Sequence, residues 1–139
     1  ISFGYKKIIK KKFLDKLSRP PINLHISYLP YNKGSHPNFW SFVDNTPSGV
    51  TIHEIDTGID TGDIIYRKRV NFKKNKNLSF KDTYHVLIME IEKLFMLKYK
   101  NILNQKYKLK KIKKKGTFHK KKDLPKNFKN WETKILEYI

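Results

Sequence analysis

Asn23-Leu24-His25-Ile26-Ser27-Tyr28-Leu29-Pro30, read together with Asp56-Thr57-Gly58-Ile59-Asp60-Thr61-Gly62-Asp63, decides how this chain folds. The first stretch reads as a strand running into a proline-closed loop. Asn23 and His25 are two positions apart, so an amide and an imidazole leave the same face of that strand. The second stretch breaks an alternating apolar pattern with two glycines and two threonines. That is the composition of a tight loop that presents carboxylates instead of burying them, and Asp60 is the expected partner of His25.

Working outward, Ile1-Ser2-Phe3 reads as the end of a buried strand and Gly4-Tyr5 as the turn after it. Between Lys6 and Leu17, Ile8, Ile9, Phe13, Leu14 and Leu17 recur at near-helical spacing, with lysines on the other face. This helix must stop before Arg19-Pro20-Pro21. A strand from Ile22 to Ile26 follows, and strand, helix, strand predicts two parallel neighbours in one sheet. Leu29 to Pro37 is too rich in breakers for regular structure, and Pro37 opens a short helix to Val43. Val50 to Ile55 and Ile64 to Val70 predict an antiparallel pair joined by the Asp60 loop, so the sheet is expected to be mixed and the class α/β.

Ser79 as N-cap with Asp82 three residues later starts the longest helix. Its stripe runs through Tyr84, Leu87, Ile88, Ile91, Leu94, Phe95, Tyr99, Ile102 and Leu103, and Met89 and Met96 are expected in a core or an interface. From Lys106 to Lys122 the composition turns to lysine. That stretch reads either as a lysine-guarded edge strand or as a mobile tail tracking phosphates. Trp131 to Tyr138 predicts a last short helix. Residues 1–105 therefore form one unit, and 106–139 a basic C-terminal extension.

The chain has 139 residues, enough for one core, and its 38% hydrophobic and 14% aromatic content argues against disorder. It contains no run of 18 apolar residues and nothing resembling a secretory signal, and it has no cysteine, which excludes disulfides and thiolate metal sites. A cytoplasmic location is the expectation. The net charge of +19 suggests nucleic acid, but only Arg19, Arg67 and Arg69 among 31 basic residues are arginines. The forked guanidinium is what phosphate and base readers favour. Abundant Lys, Asn and Ile would equally follow from an A/T-rich coding sequence.

Asn, His and Asp without an activated Ser or Cys argue against covalent catalysis, since an Asn-x-His-x-Ser strand supplies no nucleophile elbow. His25, His36, His53 and Asp60 lack a recognisable metal-ligand spacing, and no metal is expected. What remains is oxyanion stabilisation and proton transfer. An Asn amide donates to a developing negative oxygen, a His donates or shuttles, and an Asp fixes the His tautomer and raises its pKa. Histidines 36, 53, 85 and 119 take no role in this reading.

These motifs, with Gly34, Gly49-Val50-Thr51-Ile52 and Ile59-Asp60-Thr61-Gly62-Asp63-Ile64, resemble the formyltransferases that use 10-formyltetrahydrofolate. That family includes methionyl-tRNA, glycinamide ribonucleotide and nucleotide-sugar N-formyltransferases. The resemblance covers about residues 1–70 closely. It implies a Rossmann-like, mostly parallel sheet flanked by helices, N-terminally truncated here, because family members carry further strands and helices before the segment matched by Ile1. By resemblance Asn23, His25 and Asp60 are catalytic, with Asn23 and protonated His25 holding the oxyanion. Gly4, Tyr5, Lys7, Ile9, Ile55 and Thr57 belong to the pterin pocket, and Ser27, Lys33, Gly34 and Asn38 to the acceptor site.

The implied donor is 10-formyltetrahydrofolate. The segments 34–41 and 116–123 resemble members acting on amino sugars of nucleotide sugars, so a nucleotide-linked amino sugar is the expected acceptor. A methionyl-tRNA-type enzyme, a basic RNA-binding module on the same scaffold and an inactive truncated remnant are the alternatives. tRNA and a second copy of the chain, in a homodimer, stay open as partners.

Overall fold

The computed structural model describes residues 1–5, 7–72 and 77–139. Its main sheet has four strands, hydrogen-bonded side by side in the order in which they are named next. The strands are β1 (Ser2–Phe3), β2 (Ile22–His25), β4 (Gly49–Glu54) and β5 (Ile64–Arg69). β1 runs parallel to β2, with Ser2 opposite Asn23, while β2 and β4 are antiparallel, as are β4 and β5. The sheet is mixed, as the loop lengths predict, but two of its three pairings are antiparallel, so within the described residues it is not the mostly parallel sheet that the resemblance implies: the short β4–β5 connection reverses the chain, and only β1 and β2 are joined by a crossover. Ile22, Leu24, Val50 and Ile52 turn one face toward a helix and close over Leu87, Ile91 and Ile102. That alternation leaves Asn23, His25, Thr51 and His53 on the other face, paired across strands as Asn23 with His53 and His25 with Thr51.

The covering helix is α3 (Phe80–Leu103), which begins at a reciprocal capping box: Asp82 N–H donates to Ser79 Oγ, and Ser79 N–H to the Asp82 carboxylate. Met89 and Met96 are exposed, the latter by 71%, so neither joins the core. A second cluster gathers Phe39 and Trp40 of α2 (Pro37–Val43), Phe80 of α3 and Ile135 of α4 (Ile135–Tyr138). Pro37 sits in the first turn of α2 as expected.

β1 is not a buried strand, since Ile1 and Phe3 are exposed, and α4 begins at Ile135, not at Trp131. Three further expectations need correction. The helix foreseen from Lys6 to Leu17 shrinks to α1 (Lys11–Leu14); Lys6 lies outside the described residues. Ile8, Phe13 and Leu17 are exposed, so no buried stripe supports a longer helix, and the lysines at 7, 11, 12 and 16 repel one another along it. The loop after β2 is not wholly irregular, because β3 (Lys33–Gly34) pairs in parallel with β6 (Phe118–His119). The lysine-rich stretch is neither a full edge strand nor a loose tail. It touches β5 at one bridge, Lys110 with Ile64, runs through β6 and a short 3-10 turn (Lys121–Asp123), and ends in the aromatic cluster.

Candidate active site

The polar face of β2 and β4 opens on a cavity of about 840 Å3. Asn23 and His25 reach it from β2, His53 from β4, and Asp60 from the loop between β4 and β5. Asp60 has a left-handed backbone, φ 53°, which an Asp tolerates better than most residues. This turn aims its carboxylate inward and nearly buries it, where the loop's composition suggests a carboxylate presented to solvent. Gly34 N–H donates to Oδ2 at 2.8 Å, His25 Nε2 lies 3.6 Å from Oδ2, and Oδ1 is 3.5 Å from His53 Nε2 and 3.4 Å from Asn23 Nδ2. The carboxylate joins all three side chains.

The neighbours fix the tautomers. His53 Nδ1 lies 2.6 Å from the Glu54 carbonyl, which only accepts, so Nδ1 carries a proton, while Nε2 faces Asn23 Nδ2 at 3.3 Å and Asp60 Oδ1 at 3.5 Å. His25 Nε2 stands between the Asn32 carbonyl, at 3.3 Å, and the Asp60 carboxylate, so it is the protonated nitrogen there. Burial would raise the Asp60 carboxyl, but the His53 hydrogen bond, the His25 charge, the Gly34 N–H and the His53 charge hold it at about 2. Asp60 is an anion at neutral pH.

The expectation that Asp60 lifts His25 meets an opposing cause. Burial pushes the imidazole below its ordinary range and outweighs Asp60; the nearby His53 pushes it down further, and the Asn32 carbonyl raises it. His25 is therefore neutral at neutral pH, in contrast to the protonated form that the resemblance implies.

Of the residues assigned to the pterin pocket, Gly4, Tyr5, Lys7, Ile9 and Ile55 line the cavity, whereas Thr57 lies exposed in the loop beyond it. Gly34 lines it as well. Ser27, Lys33 and Asn38 do not. Ser27 is buried under the strand end, where Thr51 Oγ1 donates to its carbonyl at 2.7 Å. Lys33 is taken up by β3, its N–H donating to the Thr117 carbonyl at 3.0 Å. Asn38 turns its amide into α3, donating to the Phe80 carbonyl at 2.7 Å and to Thr83 Oγ1 at 3.1 Å. Those bonds commit Asn38 to packing α2 on α3.

Sequence reading missed His53. Its signal lay in the alternation Thr51-x-His53, which an antiparallel register with Asn23-x-His25 turns to the same face. His36 and the segment Phe118–Lys121 also reach the cavity. His36 is lowered by burial and then by the charge of Lys121.

A mixed sheet carrying an amide, two imidazoles and a buried carboxylate on one cavity wall defines a class of proteins suited to acyl-group transfer to an amine. Residues 1–88 match the formyl transferase family, and the chain belongs to that family. It is similar over 99% of its length, at 41% identity and TM-score 0.91, to the formyltransferase PseJ from Anoxybacillus kamchatkensis, solved in complex with UDP-4,6-dideoxy-4-formamido-L-AltNAc and tetrahydrofolate, of which it covers 74%. It also resembles the N-formyltransferase from Helicobacter canadensis in complex with folinic acid and dTDP-3-aminofucose, at 32% identity and TM-score 0.74, covering 91% of this chain and 47% of that one. The methionyl-tRNA formyltransferase of Prochlorococcus marinus (strain MIT 9515) is 35% identical over 79 residues, 56% of this chain and 24% of that protein. The chain thus spans about a quarter of the curated relatives it matches. Its sheet and helices form the Rossmann-like formyltransferase fold.

Proposed function

We propose that this chain carries the catalytic part of an N-formyltransferase that moves a formyl group from 10-formyltetrahydrofolate to a primary amine. The observation that carries the reading is the convergence of Asn23, His25 and His53 on the ionised Asp60 at the cavity wall. The cavity suits a folate, with about 840 Å3 of space, mixed polar and apolar walls, and the Gly4 backbone at φ 66° open to it. Gly4, Tyr5, Lys7, Ile9 and Ile55 would hold the pterin, and the folate supplies the activated formyl carbon. Asn23 donates its amide to the oxygen that gains charge when the amine adds. Neutral His25 takes the amine proton and returns it to the departing nitrogen, while Asp60 stays ionised and stabilises the imidazolium formed between these steps.

The acceptor read here is an amino sugar carried on a nucleotide. Supporting this, the likeness to PseJ runs over 99% of the chain and so includes segment 106–139, whereas the methionyl-tRNA relative aligns over 79 residues. On this reading residues 1–105 are the C-terminal half of the catalytic domain and 106–139 a basic C-terminal extension, of which Phe118 to Lys121 reach the cavity. The test is formyl transfer to UDP- and dTDP-linked amino sugars and to methionyl-tRNA, with His25→Ala and Asp60→Asn. Each variant is expected to keep its fold and lose about 100-fold or more in kcat. Unchanged rates would remove the mechanism, and transfer to tRNA alone would reassign the acceptor.

A further inference from the structure

Asn32 is fully buried, has a left-handed backbone with φ 55°, and offers its carbonyl to His25 Nε2 at 3.3 Å. What holds that carbonyl in place comes from far along the chain. Asn32 N–H donates to Thr117 Oγ1 at 2.7 Å, and the same hydroxyl donates to Asn32 Oδ1 at 2.9 Å, so one threonine closes a ring on one buried residue. Asn32 Nδ2 is taken by Thr46 Oγ1 at 2.8 Å. On either side, Lys33 N–H donates to the Thr117 carbonyl at 3.0 Å and Ser35 N–H to the His119 carbonyl at 2.8 Å. Gly116 lies so close to Pro30 that a Cβ there would overlap the proline carbonyl. The contact is tight on both flanks.

We infer that Thr117 is a positioning residue for His25, acting through the Asn32 carbonyl. Segment 116–119, beyond the residues 1–88 that match the family, then belongs to the machinery of the site. The geometry stands by itself; its consequence for turnover rests on the formyl-transfer reading. Nε2 of His25 has two acceptors within reach, the Asn32 carbonyl and Asp60, and His53 is the other titratable group facing the ring. Without the Thr117 hydroxyl, the Asn32 N–H is left buried without its acceptor, a strain the loop relieves by shifting. The carbonyl then withdraws, and the ring loses the partner that fixes its tautomer and supports its protonated form.

The test uses the chain labelled with 15N-histidine. In the wild type the His25 ring should be the Nε2–H tautomer, and an Nδ1–H tautomer overturns the inference without any mutation. Thr117→Val should lower the His25 titration midpoint and reduce kcat by about 10- to 100-fold, the range expected for misplacement of a catalytic group, with the folate KM little changed. Thr117→Ser should restore both. A folded Thr117→Val protein whose His25 resonances and titration match the wild type would overturn the inference; if that variant fails to fold, Thr117→Ala, which removes the same hydroxyl with less bulk, is read in the same way. A wild-type chain without formyl transfer, but with His25 behaving as stated, would remove the functional reading and leave Thr117 as the prop of His25.

Discussion

Asp60 and Gly34 depend on each other at the scale of single atoms. Gly34 has φ 87°, and a Cβ on it would overlap the His119 carbonyl oxygen and press on the Phe118 ring, while its N–H is the shortest bond to the Asp60 carboxylate. Gly34→Ala is therefore expected to push β6 away and loosen Asp60, lowering both thermal stability and turnover, measurable by calorimetry and by assay of the same sample. The titrations make a second prediction. Asp60 falls from 3.8 in the unfolded chain to about 2 in the folded one, so its contribution, about 2 kcal/mol, is present above pH 3.8 and is lost as pH drops toward 2. His25 is also depressed, so the unfolded chain binds its proton first and stability declines as pH falls below 6.5. Melting temperature should thus fall in two stages on acidification. Asp60→Asn should remove the second stage and His25→Gln the first; a wild-type curve flat between pH 6.5 and 5 would contradict the His25 assignment.

At the scale of elements, the start of α3 is set by one box. Ser79 is buried and its hydroxyl accepts from Asp82 N–H at 3.1 Å, so Ser79→Ala should cost about 1 kcal/mol, read as a lower urea midpoint at unchanged slope. This box was legible in the sequence because capping is local, and so were Pro37 at the start of α2 and the antiparallel β4 and β5 flanking a turn-rich loop. Asn23 and His25 were legible for a similar reason, since a spacing of two fixes their common face. The pairing of β3 with β6 was not. It joins two residues to two others across a long stretch of chain, and neither pair has a pattern long enough to show a period. His53 escaped because its role follows from the register of β2 on β4, which sequence spacing alone leaves open. α1 failed in the opposite sense: the spacing was helical, but among the described residues no neighbouring surface buries it.

Across the whole molecule the dominant number is the charge of +19, and the question is whether it serves the reaction. Lys108, Lys110, Lys111, Lys113, Lys114 and Lys115 are exposed, and none lines the cavity that holds Asp60. Lys110 and Lys108 border a separate opening of about 580 Å3 beside Tyr28 and Arg67, whose guanidinium stands 4.3 Å from the Tyr28 ring centre. Lysines so placed attract polyanions through counterion release, in steep proportion to salt, without selecting among them. On the proposed formyl-transfer reading they lie away from the cavity that holds His25. Replacing Lys111, Lys113, Lys114 and Lys115 with Gln should therefore leave the kcat for a nucleotide-linked amino sugar within about twofold, since long-range surface charge is largely screened at physiological salt. The same change should weaken tRNA binding and flatten its salt dependence. Parallel titrations of tRNA and of the amino-sugar substrate at two salt concentrations separate the cases. If turnover on the sugar falls in step with tRNA binding, the basic stretch is part of substrate capture, and the surface would have to be read as an extension of the site.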